Sequence, residues 1–169
     1  MGCVLTSTAG RGITPMTFKT QVLKEVMEQS MNSPEFVPTK SKGGFITYCN
    51  LHCHRVLHDL GYDYFYNTTL KRVLLANEQV KYMDTHPHEF SKLYDPAIAA
   101  GLASQGRLVL AGLSDMPNGH VCPIGVSGEL VPSKQLCTSV PYAYNVGQKN
   151  GYMSINWIYK HLPNFYIVI

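Results

Sequence analysis

An α+β fold, helices first and strands later, is what this sequence predicts, and three observations carry it. Apolar residues recur at helical spacing up to Gly106, short β-rich runs replace them from Arg107 onward, and Gly- and Asn-bearing turn clusters punctuate the second half. Helices that segregate from strands along a chain pack on one side of an antiparallel sheet. The chain has 169 residues, the size of one domain. A single domain over 1–169 is therefore expected, with 1–14 as an irregular lead-in.

Taken in order, Thr14-Pro15 reads as an N-cap followed by proline at the first helical position. Phe18, Val22, Leu23, Val26 and Met27 then repeat on one side, giving an amphipathic helix over roughly 15–30. A loop rich in Ser, Pro, Lys and Gly runs from Asn32 to Gly44. A second helix spans about Tyr48 to Leu60: Cys49, Cys53, Val56, Leu57 and Leu60 share a side, and Gly61 takes the place just past the end. Thr69–Met83 and Pro87–Tyr94 read as further helical pieces. Pro96–Ser104 reads as a short small-residue helix closed by Gly106. Beyond it, Arg107–Ala111, His120–Val126, Glu129–Val131, Val140–Val146 and Phe165–Ile169 are strand candidates, and Asp115–Gly119 is a turn. Trp157, the only tryptophan, reads as a core anchor.

Composition narrows the function classes. With 45% hydrophobic residues and 15% charged, the chain can bury a core and is not disordered. A net charge of +3 without a dense basic run argues against a nucleic-acid binder. No apolar stretch approaches the ~18–20 residues of a membrane span, so no integral membrane segment is expected. Residues 1–12 show no charged region followed by an apolar one, hence no Sec signal peptide. Met1-Gly2-Cys3-Val4-Leu5-Thr6 fits an acylation pattern at Gly2 and Cys3, but so short a pattern arises often by chance. Five cysteines cannot all pair internally, and reduced thiols are the expectation.

One cysteine stands where chemistry favours it. A thiol nucleophile needs its ionisation made easier, and a helix N-terminus beside an imidazole does that. Cys49 opens the second helix, so the unsatisfied N–H groups of the first turn face its sulfur. His120 begins a later strand directly after a Gly-bearing turn, a rigid place from which to present a base. Cys53, one turn on, and Cys122, which alternates with His120, read as packing.

These residues carry a resemblance. Thr47-Tyr48-Cys49-Asn50-Leu51, continuing through Val56-Leu57 to Leu60-Gly61-Tyr62, resembles the C-N-x-F-V-x-x-V-L-x-x-x-G segment of NlpC/P60-like and CHAP-like papain-fold cell-wall peptidases. Asn118-Gly119-His120-Val121 resembles the G-H-V strand that presents their histidine. The order of Ser127–Ser133, Val140-Pro141, Asn145-Val146-Gly147, Asn150-Gly151 and Ser154–Trp157 fits a bacterial or phage branch, so the resemblance covers roughly 45–160. Cys53-His54 replaces the family's F-V, and a W-G motif expected near Gln135–Cys137 is missing.

The resemblance implies a papain-like NlpC/P60 domain that hydrolyses an amide of peptidoglycan, as a stem-peptide endopeptidase or an N-acetylmuramoyl-L-alanine amidase. It implies Cys49 as nucleophile and His120 as base, with no cofactor. A third polar group should hold the imidazole: Asn145 is the first choice, with Ser133, Glu129 and Gln135 left open by the unread strand register. Tyr48 and Asn50, flanking the nucleophile, are expected to contact peptidoglycan or its peptide fragments. A wall enzyme without a visible signal would need phage delivery or a dedicated export system.

Three rival readings stand beside it. A thiol peptidase or amidase of the same fold could act on a substrate outside the wall. Cys49, His52 and Cys53 at i, i+3 and i+4, with His54 and His58 on another helical face and His86 and His88 further on, could hold zinc, though no C-x₂-C pair supports this. A papain-like binding module could also have lost turnover. An activated Cys49 should react with iodoacetamide before the other cysteines and well below ordinary thiol pH.

Overall fold

The computed structural model describes residues 18–42, 44–115 and 117–169. The lead-in, the acylation pattern at Gly2 and Cys3 and the Thr14-Pro15 cap lie outside them. Helix α1 (Phe18–Met31) buries Leu23, Met27 and Met31. The expected loop after it contains a 3-10 turn (Pro34–Phe36) and a small hairpin, β1 (Thr39–Ser41) with β2 (Gly44–Ile46). Helix α2 (Cys49–Asp59) follows and buries Cys49, Cys53, Val56 and Leu57. Its end is fixed as the sequence suggests. Gly61 adopts φ +91°, Tyr62 N–H donates to the Leu57 carbonyl at 2.9 Å, and Gly61 N–H donates to the His58 carbonyl at 2.9 Å.

Two helical expectations fail, each for a local reason. Within 69–83 only α3 (Ala76–Thr85) is helical, and Tyr66–Asn67 (β3) pairs with Arg72–Val73 (β4) ahead of it. Asn67 Oδ1 accepts the Leu70 N–H at 2.8 Å, and Lys71 turns left-handed (φ 52°), which stops any helix there. Glu78 then sets the start of α3: it accepts the Leu75 N–H at 2.7 Å and grips Arg72 through two bonds of 2.7 and 2.8 Å. The segment 87–94 contains strand β5 (Phe90–Leu93) instead of helix, because pairing along β11 supplies hydrogen bonds that so short a run could not make alone.

The remainder follows the expected order, a last helix and then strands. Helix α4 (Pro96–Ser104) is capped by Asp95, whose carboxylate accepts the Ala97 N–H at 2.7 Å. Strands β6 (Val109–Leu113), β7 (His120–Pro123), β8 (Leu130–Ser133), β9 (Thr138–Asn145), β10 (Gly151–Ser154) and β11 (Asn164–Val168) complete the chain. A second 3-10 turn, Ile155–Trp157, sits between β10 and β11. β10 lies outside the strand candidates that the sequence offers.

The protein is thus α+β with antiparallel sheets. One sheet has the order β5-β11-β6-β7 and the other β10-β9-β8. They meet at a narrow seam just past β7: Ile124 bridges Ala143, and the Gly125 N–H donates to the Tyr142 carbonyl at 2.8 Å. The two-residue period of the strands divides the interior. Leu110, Val121, Tyr166 and Val168 join α1–α3 in one core, while Val109, Ala111, Cys122, Phe165 and Ile167 join α4 in the other. Each fully buried aliphatic side chain, such as Val56 or Leu57 of α2, contributes roughly 1.5–3 kcal/mol. That packing fixes α2 against β7. Among the described residues no helix is long and apolar enough to cross a membrane.

Candidate active site

Cys49 occupies the first position of α2, and the first intrahelical bond is that from His52 N–H to the Tyr48 carbonyl, 2.9 Å. The earlier N–H groups are left without partners in the helix. Those of Cys49 and Asn50 approach the sulfur, and the Val121 N–H reaches it from β7. The thiol therefore sits against the residue that follows His120. It is 5% exposed, and burial pushes its pKa up although the three amides pull it down. Easier ionisation of Cys49, expected from a helix start beside an imidazole, is thus corrected: desolvation beneath the sheet outweighs the amides at the helix end.

His120 enters β7 from a turn that is held in place. Asn77 of α3 donates from Nδ2 to the Asp115 carbonyl at 2.9 Å and accepts the Asp115 N–H at 3.2 Å. A side chain on Gly119 would run into Asn77 Oδ1 and come within 2.8 Å of the Leu113 carbonyl, so only glycine fits directly before the histidine. His120 Nε2 then meets Asn145 Oδ1 at 2.8 Å. Asn145 Nδ2 donates to the Lys149 carbonyl at 2.6 Å, which settles which way the carboxamide faces. With Oδ1 toward the ring, Nε2 must carry the hydrogen, and the neutral imidazole keeps its lone pair on Nδ1. Burial lowers the His120 pKa and the bond to Asn145 raises it, with burial the stronger. The ring also packs edge-on against Tyr159, centroids 5.4 Å apart. The Tyr159 hydroxyl, buried, lies 3.2 Å from the Ala111 carbonyl and 3.4 Å from Cys122 Sγ.

A cleft of about 900 Å³ opens over His120 and Asn145. Thr47, Lys149, Trp157 and Lys160 stand in its walls. Trp157 is 80% exposed, so it is no core anchor. Ile155 and Tyr159, two residues to either side, are buried, and the tight turn that begins at Ile155 leaves Trp157 outward. Asn77 and Tyr159 were also missed, because their roles depend on contacts far away in sequence.

The other sequence candidates are elsewhere. Ser133 Oγ accepts the Leu136 N–H at 3.1 Å, Gln135 Nε2 donates to the Tyr159 and Lys160 carbonyls at 3.1 and 3.2 Å, and Glu129 is exposed beyond β7. None of the three is bonded to His120; Asn145 is. Asn50 turns its carboxamide to the Leu74 carbonyl at 3.0 Å, and Tyr48 packs on Phe36 with ring centroids 6.3 Å apart. Neither residue lines the cleft, whereas Thr47 does.

The cysteine- and histidine-rich face of α2 is used for packing. His52 is fully buried; Nδ1 lies 2.8 Å from Ser30 Oγ and Nε2 lies 3.2 Å from the Tyr144 carbonyl. Since a carbonyl only accepts, Nε2 carries the hydrogen and Ser30 donates to Nδ1. Both nitrogens are occupied, and burial lowers the His52 pKa to about 4. Cys53 and Cys122 are completely buried, their thiols pushed up by desolvation, Cys122 to about 12. Among the described residues no three His, Cys, Asp or Glu side chains converge as metal ligands would. Set against protein-family models and curated proteins, the chain matches none of either.

Proposed function

We propose that this protein is a papain-like cysteine hydrolase that cleaves an amide bond of peptidoglycan. The observation that carries the reading is the His120–Asn145 pair: a 2.8 Å bond with the carboxamide fixed by Lys149, which leaves the Nδ1 lone pair of a neutral imidazole beside the strand that touches the Cys49 sulfur. The resemblance of the Cys49 and His120 segments to NlpC/P60-like enzymes supports the choice of substrate.

The chemistry follows from the protonation states. With the thiol raised and the imidazole lowered, the resting pair is neutral, not an ion pair. His120 Nδ1 takes the Cys49 proton as the sulfur attacks the amide carbon, and the Cys49 N–H, which approaches the sulfur at rest, turns to the developing oxyanion. The imidazolium, held by Asn145, returns its proton to the leaving amine. Water activated by the same nitrogen then cleaves the thioester.

Digestion of purified sacculi, with the released fragments identified by mass spectrometry, tests this. Cys49→Ala and His120→Ala should each lower product formation by at least about a thousandfold while the melting temperature holds. Activity surviving in either variant would remove the assignment.

A further inference from the structure

The cleft wall beside the His120–Asn145 pair carries two lysines and one carboxylate. Lys149 and Lys160 are both exposed, and among the described residues neither is in an ion pair; the acid among the described lining residues is Asp115, on the turn before β7. The lysines are placed by the groups that hold the imidazole. The Lys149 carbonyl is the one that fixes the Asn145 carboxamide at 2.6 Å. Lys160 follows Tyr159, whose ring packs on His120, and the Lys160 carbonyl is pinned by Gln135 at 3.2 Å. Trp157, on the turn just before Tyr159, adds a bare indole to the same wall.

Resting on the hydrolase reading above, we infer that Lys149, Lys160 and Trp157 form the subsite that selects an acidic peptide, taking a carboxylate next to the scissile bond between the two ammonium groups while the adjoining chain lies on the indole. Two ammonium groups on flexible stems suit a carboxylate whose position varies by an ångström or two. An exposed tryptophan offers flat apolar area that a neutral lining could not replace. Because both backbones are tied to the imidazole's supports, a carboxylate held there is in register with the reacting carbonyl.

The chain's sole tryptophan is at this subsite, so intrinsic fluorescence reports its occupancy directly. The Cys49→Ala protein, which cannot turn over, would be titrated with the tripeptide L-Ala-γ-D-Glu-L-Lys, with the same peptide carrying a carboxamide in place of the γ-D-Glu α-carboxylate, and with its N-acetylmuramoyl derivative. The acidic peptide should shift the emission saturably and the amidated one should bind about five- to tenfold more weakly. Adding Lys149→Gln and Lys160→Gln should abolish that difference. Equal binding of acidic and amidated peptides, a preference that survives the double lysine change, binding of the muramoyl derivative alone, or no emission change with any peptide would each overturn the subsite. The two readings fail separately. Charge-blind hydrolysis of sacculi removes the subsite and keeps the hydrolase, whereas charge-dependent binding by a wild-type protein that cuts no sacculi does the reverse.

Discussion

His52 and His120 lie in neighbouring parts of the molecule, close enough that the charge of one depresses the ionisation of the other, yet they are built for opposite purposes. Around His52, α1, α2 and β9 close completely: a serine donates to one ring nitrogen and a carbonyl accepts from the other. Around His120 the enclosure stops halfway. Asn145 takes one nitrogen and the cleft leaves the other open. The difference teaches that burial alone makes a histidine neutral; a base also needs a lone pair that no protein group has claimed.

The comparison breaks most sharply at the sealed site. His52→Ala strips the Ser30 hydroxyl and the Tyr144 carbonyl of their partners and leaves a cavity, so it should cost about 3–5 kcal/mol in urea unfolding. A loss below about 1 kcal/mol would show that the three elements do not depend on it. A milder probe is acid. The His52 pKa is about 4 in the fold against an ordinary 6.5, so between these values the unfolded chain binds the additional proton. Stability contributed by the neutral ring is complete above pH 6.5 and is lost as pH falls toward 4, in total about 3 kcal/mol. Unfolding free energies measured at pH 7 and pH 4 on wild type and His52→Ala check this, since the variant should lack that part of the decline.

At the open site, Asn145→Ala should reduce kcat about a hundredfold, because the imidazole loses the partner that fixes its tautomer, with the fold unchanged by circular dichroism. The acid limb of kcat/KM should lie below pH 6.5, following the lowered His120 pKa. The smallest effect is one of order. Cys137 is exposed and Cys49 is 5% exposed with a raised pKa, so at pH 7 iodoacetamide should modify Cys137 before Cys49. Mass spectrometry showing Cys49 alkylated ahead of Cys137 would indicate an ion pair at rest instead of a neutral one.

What could be read from the sequence was what neighbours in the chain decide. The spacing of Cys49, Cys53, Val56 and Leu57, with Gly61 after them, defined α2 at both ends, because helix periodicity and its left-handed stop are local. His120 at the head of a strand and Asn145 near the end of another were legible in kind. Their 2.8 Å contact follows from the meeting of two sheets, which no spacing encodes. The failures share a cause. Phe90–Leu93 is a strand because β11 lies beside it, and the Cys49 thiol is raised because the sheet covers it. Trp157 misled by composition: a lone tryptophan suggests a core, but the turn it rides on buries its neighbours instead.

The seam between the sheets has a mechanical side. Past β7 the two strands touch through Ile124 and Gly125, and beyond that pivot they carry His120 and Asn145 on separate arms. Gly125 lies hard against the Tyr152 ring, whose hydroxyl would be 2.6 Å from any added methyl. A single methyl at residue 125 would push that half-exposed ring and its hydrogen bond to Ser127 aside, uncovering the pivot while leaving the strands joined.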